Sequence, residues 1–323
     1  MAAAVADPAP PHIVDLRTLD LDALAPVLEE QVKEWKSGLD WDFTPSANLV
    51  RRFVQMHVLT GYALLSPVNP GQIVGYSYYV CEEGKGLIGD LYVLKQYRSW
   101  EFENALFQAS LDAMWQTPGV RRIESQLLMI SDLPHRQVPY SSWFQSFPRL
   151  FLEAPSNTRL APRKLSSTIS IVPWAVPWQE ATGRLIAGAY QNHIDSQIND
   201  QYRSAMGARR FLTNIVQYPG CGSFFAPASF AAIDQGVLCG ASLASLVSHD
   251  VGHITQVCVA PSYQGTGLGY ELMRRSMEAL ALHGCRSVSL TVTAQNESAL
   301  RLYRNMGFAP RRSFAAYVWE PRG

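Results

Sequence analysis

Val259-Ala260-Pro261-Ser262-Tyr263-Gln264-Gly265-Thr266-Gly267-Leu268-Gly269 leads from an apolar strand through a proline into a helix by way of three alternating glycines. Glycines at these positions let successive main-chain N–H groups turn toward one point with no Cβ in the way. The helix beyond adds the positive end of its dipole. The pattern predicts a cradle for a diphosphate. Leu272, Met273, Ser276, Met277 and Leu280 share one face of the following helix, while Arg274 and Glu278 form an i,i+4 pair on the other. The helix is expected to end near Gly284.

Two familiar phosphate loops do not fit. No Gly-Lys-Ser/Thr follows, so there is no lysine for a γ-phosphate, and the glycines alternate as G-x-G-x-G rather than G-x-G-x-x-G at a first strand. A second marker lies downstream, where an alternating strand from Leu290 feeds a short helix capped by Asn296 and closed by Gly307.

Together these residues resemble the GNAT superfamily of acyl-CoA-dependent N-acyltransferases. The signature Q/R-x-x-G-x-G/A is met by Gln264, Gly267 and Gly269. The second element, N-x-x-A-x-x-x-Y-x-x-x-G-F, is met by Asn296, Ala299, Tyr303, Gly307 and Phe308. The resemblance implies an α/β (α+β) fold with a mixed, mainly antiparallel central sheet flanked by helices, and acetyl-CoA as co-substrate. In that family the strand before the loop parts from its neighbour and pantetheine lies in the gap. Val257 and Val259 would then face the pantetheine arm, and the amides of Gln264, Gly265, Thr266, Gly267, Leu268 and Gly269 would hold the pyrophosphate. Asn296 and Ser298 are further cofactor candidates, with Arg304 nearby, although capping alone accounts for an Asn at 296.

Tyr303 matches the family's tyrosine, a weak acid for the departing thiolate, since a phenol ordinarily titrates near about 10; packing on the core face of its helix is the plainer alternative. Many members carry a strand glutamate as base. This chain offers His253, Thr255 and Gln256 there, of which only His253 ordinarily titrates near neutrality, so His253 is the expected base. His193, Asp195, Asp200 and Tyr202 are the expected acceptor-side residues, in a polar segment that solvation alone also explains. Cys258 would sit beside the thioester, but a lone cysteine in an apolar strand is usually a small core residue, so direct transfer is expected.

The loop has a counterpart at an offset of 166 residues, Val93-Leu-Lys-Gln-Tyr-Arg-Ser-Trp-Glu-Phe-Glu-Asn-Ala-Leu106, where Ser99, Glu101 and Glu103 replace the glycines. Cβ atoms close the nest and carboxylates put negative charge where phosphate would lie. Strands over 61–66, 72–81 and 87–94, a helix over 101–116 and a strand over 121–128 have their repeat in strands over 223–233, 237–248 and 253–259, the loop helix and a strand over 287–293. Helices over 178–192 and 203–217 precede these. The expectation is two tandem GNAT folds: a disordered tail at 1–11, a degenerate copy over 12–165 and a cofactor-binding, catalytic copy over 166–323. A strand over 167–172 would close the first or open the second.

The chain has 323 residues, 47% of them hydrophobic, with Lys+Arg and Asp+Glu both at 27. It can build two cores and has no long-range basic field for nucleic acid or an anionic membrane. Its five cysteines lack metal spacing, so no metal is expected, and reduced thiols suggest a cytoplasmic protein. The reading is an N-acetyltransferase acting on a small-molecule primary amine, as monomer or homodimer. The alternative is a non-catalytic acyl-CoA-binding sensor or partner module.

Overall fold

The computed structural model describes residues 11–130, 137–218 and 220–321. The tail expected over 1–11 falls, all but Pro11, outside them. In chain order the first half carries β1 (Ile13–Asp15), α1 (Leu21–Leu39), α2 (Thr44–Gln55), β2 (Gly61–Leu65), β3 (Ile73–Glu82), β4 (Lys85–Val93), α3 (Trp100–Gln116), β5 (Arg122–Gln126) and β6 (Phe144–Pro155). The second carries β7 (Ile169–Pro173), α4 (Gln179–Ala189), α5 (Asp195–Ile198), α6 (Ala205–Gln217), β8 (Ser223–Phe224), β9 (Phe230–Asp234), β10 (Val237–Ser248), β11 (Val251–Val259), α7 (Leu268–Leu282), β12 (Ser287–Thr293), α8 (Glu297–Asn305) and β13 (Ala309–Trp319).

Two compact units emerge, and a single cut near residue 165 does not separate them. One holds the described residues of Met1–Glu34, Ala47–Ser146 and Ala315–Gly323; the other holds Trp35–Ser46 and Phe147–Phe314. In the first, the strands run β1-β2-β3-β4-β5 and the sheet ends on the tail of β13, with Ala316 to Trp319 antiparallel to Gln126 to Ile123. In the second, the order is β7-β9-β10-β11-β12-β6, where Arg149 to Pro155 run antiparallel to Thr293 to Ser287. The strand expected over 167–172 is β7, which follows β6 within the second unit and pairs with β9. Each unit is a mixed, mainly antiparallel sheet flanked by helices, with one parallel pair, β4 with β5 or β11 with β12.

The repeat extends to irregularities. The β3–β4 register slips between Tyr78↔Asp90 and Tyr79↔Ile88, leaving Gly89 as the extra residue. The β10–β11 register slips between Leu243↔Gln256 and Ala244↔Ile254, leaving Thr255, which is 166 residues on. A bulge bends a strand and re-aims the residues beyond it, so its recurrence at one position marks a shared design.

Local chemistry explains the elements that frame the loop. Leu268, Leu272, Met273, Met277 and Leu280 of α7 are buried at helical spacing. In α8 the Asn296 side chain accepts the Ala299 N–H at 3.1 Å, and the chain leaves through Gly307 at φ 88°. The strand expected over 223–233 is two pieces, because Pro227 lies in a helical turn between β8 and β9. The elements β1, α1, α2, β6 and β13 had no sequence expectation.

Candidate functional site

In the second unit β11 and β12 pair in parallel from Val251↔Ser287 only as far as Ile254↔Leu290, and then part. The Ala260 N–H donates to Cys239 O on β10 at 2.9 Å. By strand alternation Cys258 also faces β10, and the amides of Val257 and Val259 face the gap. These two residues are partly exposed, whereas Cys258 is buried in the core under α4 and α6. The gap thus offers the unpaired edge expected of a pantetheine channel.

Its far end is the glycine loop. Gly265 (φ 78°) and Gly267 (φ 90°) are left-handed, which costs about 1–2 kcal/mol for a residue with a Cβ. Gly267 is the N-cap of α7 and supplies no side-chain acceptor. Among the described residues, no protein acceptor takes the main-chain N–H of Gly265, Gly267, Leu268, Gly269 or Tyr270. Gln264 and Thr266 differ from the expectation for the loop, since their amides turn back to Pro261 O (3.3 Å) and Tyr263 O (3.4 Å). Gly269 is helical, and a Cβ there would meet only Val259 Cγ2 at 3.5 Å and Leu302 Cδ2 at 4.0 Å, which is ordinary contact. The loop therefore requires glycine at 265 and 267, and admits it at 269.

Glu271, buried just inside the helix, would oppose an anion. Burial pushes its carboxyl up, but hydrogen bonds from Arg274, the Arg163 N–H and Arg275 outweigh that and hold it below the usual range. Its charge is therefore matched locally.

At the other end of the gap, Tyr303 is 7% exposed with its ring edge-on to Phe308 at 5.9 Å. Among the described residues its hydroxyl has no protein hydrogen-bond partner. Burial, then the charge of Asp195, raises its pKa, with Arg149 partly offsetting. Asp195 Oδ1 accepts from Thr293 Oγ1, and the carboxylate lies 3.7 Å from both Arg149 and His193. The Asp195 N–H donates to His193 Nδ1 at 3.1 Å, and the Asn296 amide nitrogen lies 3.3 Å from Nε2. Tyr202 stacks on Tyr190 at 4.6 Å and donates to Gln256 Oε1 at 3.3 Å, while the Gln256 amide donates to the Tyr190 hydroxyl at 2.9 Å. The Tyr190 hydroxyl in turn donates to Val257 O at 3.4 Å, on the gap edge. His193, Asp195, Tyr202, Asn296 and Tyr303 thus form one polar cluster. Asp200 lies in the helical turn leading to Tyr202, and Ser298 is exposed on the first turn of α8.

His253 does not fit the role of base. It lies in the closed part of the β11–β12 pair and is 5% exposed, tilted against Trp41 (5.1 Å) and stacked on Phe151 (6.1 Å), with Nδ1 at 2.9 Å from Ser289 Oγ. Burial takes its pKa down to about 3, so it is uncharged at neutral pH and carries no proton traffic there. Burial pushes the Cys258 thiol up to about 12, which leaves it protonated and poorly nucleophilic.

Sequence reasoning missed Arg149, Tyr190 and Arg163. Arg149 lies on β6, outside the half expected to be catalytic, and no local signal marks it. Tyr190 ends a readable helix one residue before the polar segment. Arg163 belongs to a run with Arg159 and Lys164 just ahead of the second sheet, a cationic cluster that composition does reveal.

Residues 196–308, which include the loop, the gap and both motifs, match the model of the acetyltransferase (GNAT) family. That segment is similar to the GNAT acetyltransferases. Its whole length superposes on a tandem GNAT protein from the clavulanic acid biosynthesis pathway, with a TM-score of 0.63 at 14% identity, covering 97% of this chain and 100% of that one. At that identity the likeness speaks for the fold, two GNAT folds in tandem. Among curated relatives, this chain is 32% identical over 82 residues to the N-alpha-acetyltransferase MAK3 of Arabidopsis thaliana, covering 24% of this chain and 43% of that protein. It is 40% identical over 67 residues to the mycothiol acetyltransferase of Mycobacteroides abscessus, covering 21% and 23%. The chain thus spans less than half the length of either relative. Among the described residues, no helix is long and apolar enough to cross a membrane.

Proposed function

We propose that the second unit is an acetyl-CoA-dependent N-acetyltransferase that moves the acetyl group directly to a primary amine of a small molecule. The observation that carries this is the strand gap beyond Ile254, which ends on left-handed glycines with unpartnered amides. It suits a ligand with an extended arm and an anionic end. The names of the curated relatives, both acetyltransferases, support the reaction class.

In this reading the Val257 and Val259 N–H groups polarise the thioester carbonyl, and the amine attacks it from the side of Asp195 and His193. The Asp195 carboxylate draws the ammonium form in, and with His193 accepts the proton the amine sheds before the N–C bond forms. The C–S bond then breaks, the electron pair leaves on sulfur, and the attacking nitrogen's second proton goes to the thiolate, giving the amide and free CoA. Tyr303 donates a hydrogen bond to that sulfur; its raised pKa keeps the phenol protonated until the thiolate appears. A covalent relay through Cys258 is disfavoured by its protonated, buried thiol. A site with one carboxylate beside one guanidinium, with the Tyr190 ring edge-on to His193, suits a compact polar amine.

The burial of His253 favours one alternative, a module that binds acetyl-CoA without transferring it, because the strand position expected to hold a base holds none that titrates usefully. Free-CoA release against a panel of small amines and peptide N termini, with calorimetry on the same sample, tests the two. Turnover with a small amine upholds the enzyme; tight binding with no release across the panel upholds the sensor; preference for peptides overturns the small-molecule acceptor.

A further inference from the structure

The segment 156–168, between β6 and β7, is fixed across the start of α7. Leu160 and Leu165 pack into the core clusters around α7, Tyr270 donates its hydroxyl proton to Ala161 O at 2.9 Å, and the Arg163 N–H donates to Glu271 Oε2 at 3.1 Å. Thr158 lies against Gly307, where an added Cβ would be 3.3 Å from Thr158 Cγ2. These anchors hold Arg163 over the loop: a Cβ built on Gly267 would lie 3.8 Å from Arg163 Cβ and Cγ and 3.9 Å from Cδ. The guanidinium lies over the Tyr270 ring, 5.0 Å from its centroid. Arg274 and Arg275 are committed to Glu271. Arg163, by contrast, has no carboxylate partner among the described residues. It is a positioned cation, stiffened by an aromatic ring and placed beside unpartnered amides.

We propose that Arg163, held by this strap, is the side chain that recognises a phosphate at the nucleotide end of coenzyme A. The inference rests on the acetyl-CoA reading above and adds to the amide nest a charge delivered from outside the matched family segment. A guanidinium on a phosphate makes charge-assisted, paired hydrogen bonds that a lysine reproduces only as a point charge.

The test uses the full chain and its Arg163→Gln and Arg163→Lys variants, with calorimetry against acetyl-CoA and 3′-dephospho-acetyl-CoA. Gln keeps the aliphatic stem over Gly267 and loses the charge, so a lost affinity is not a lost packing contact. The expected result is a rise in Kd for acetyl-CoA of about tenfold for Gln at low salt, smaller at high salt, with Lys recovering part of it. If the loss persists with 3′-dephospho-acetyl-CoA the partner is the diphosphate; if it disappears the partner is the 3′-phosphate. Turnover of S-acetylpantetheine, which has no phosphate, is expected to be unchanged. Gln binding as tightly as the wild type, or losing S-acetylpantetheine turnover to the same extent, overturns Arg163's role alone. A wild-type chain that takes up no acetyl-CoA overturns the reading beneath it.

Discussion

The two copies of the loop start from the same strand-turn-helix plan and end in opposite states. In the first unit, parallel pairing of β4 with β5 also stops early, at Ile88↔Ser125, yet Leu91 and Val93, the counterparts of Val257 and Val259, are each only 1% exposed. Arg98, which replaces Gln264, folds back to bind Glu34 through both guanidinium ends (2.9 and 2.7 Å) and to reach Val93 O at 3.1 Å. Ser99 caps α3 by accepting the Phe102 N–H at 3.3 Å, so that helix starts two residues earlier in the repeat register than α7 does. The first copy has capped its helix start with Ser99 and buried the side chains of its strand edge. The second has neither a side-chain cap on α7 nor a buried edge at Val257 and Val259. What separates the two copies is how far the chain itself closes the same helix start and strand edge.

The sharpest way to break that comparison is to install the first copy's residue in the second. Gly267→Glu forces a Cβ into a φ of 90° and places a carboxylate at the nest. Affinity for acetyl-CoA is expected to fall by about a hundredfold or more, from strain plus like-charge repulsion. Calorimetry measures the loss, and a thermal melt checks that the fold survives. Titration of the unaltered chain is expected to saturate at one acetyl-CoA; two equal sites would erase the distinction between the copies.

Tyr303→Phe probes the other end of the gap. Its hydroxyl has no protein partner to lose among the described residues, so stability and acetyl-CoA affinity are expected to stay near wild type. Loss of a donor to the leaving thiolate should lower kcat by about 10- to 100-fold with little change in KM. A fall in melting temperature with unchanged kcat would make Tyr303 a packing residue.

The parts that were legible in the sequence were those fixed by local rules. Left-handed backbone demands glycine at 265 and 267, a helix start wants Asn296, and helical spacing exposes the buried face of α7. Pairing across distance was not legible. Arg149 joins Thr293 and Asp195 through a strand, β6, that follows the first half of the chain yet pairs with β12, and nothing within an alternating apolar strand says which sheet it will enter. The same gap explains His253. Its residue type suggested a base, but Trp41 reaches it from 212 positions earlier in the chain, and that burial cannot be read from the strand itself.

The first copy's closure should be visible as a pH dependence. Burial pushes the Glu34 carboxyl up, but hydrogen bonds from Arg98 and Tyr92 outweigh it and leave the pKa below the usual value. A depressed folded-state pKa means the contribution is complete above the unfolded value of about 4.3 and is lost as pH falls through the folded one. Arg98→Gln is therefore expected to lower the melting temperature by several degrees at neutral pH, and by progressively less as pH falls through the depressed carboxyl pKa and Glu34 becomes protonated. Acetyl-CoA affinity should not change. A pH-independent difference would remove the ion pair from the account of how this copy closed.

The smallest expected effect sharpens the comparison most finely, because it separates glycines the backbone needs from one it merely tolerates. Gly269 is inside α7, and a Cβ there meets Val259 and Leu302 at ordinary contact distances. Gly269→Ala should leave acetyl-CoA affinity within about twofold and raise stability by up to about 1 kcal/mol, since alanine is the better helix former. Gly265→Ala adds the same methyl group into open space at a φ of 78°, so crowding plays no part and only backbone strain remains. That variant should be destabilised and should bind acetyl-CoA more weakly. If the two alanines behave alike, the loop's glycines are serving close approach to the ligand and not backbone geometry, and the first copy lost its site through its carboxylates rather than its Cβ atoms.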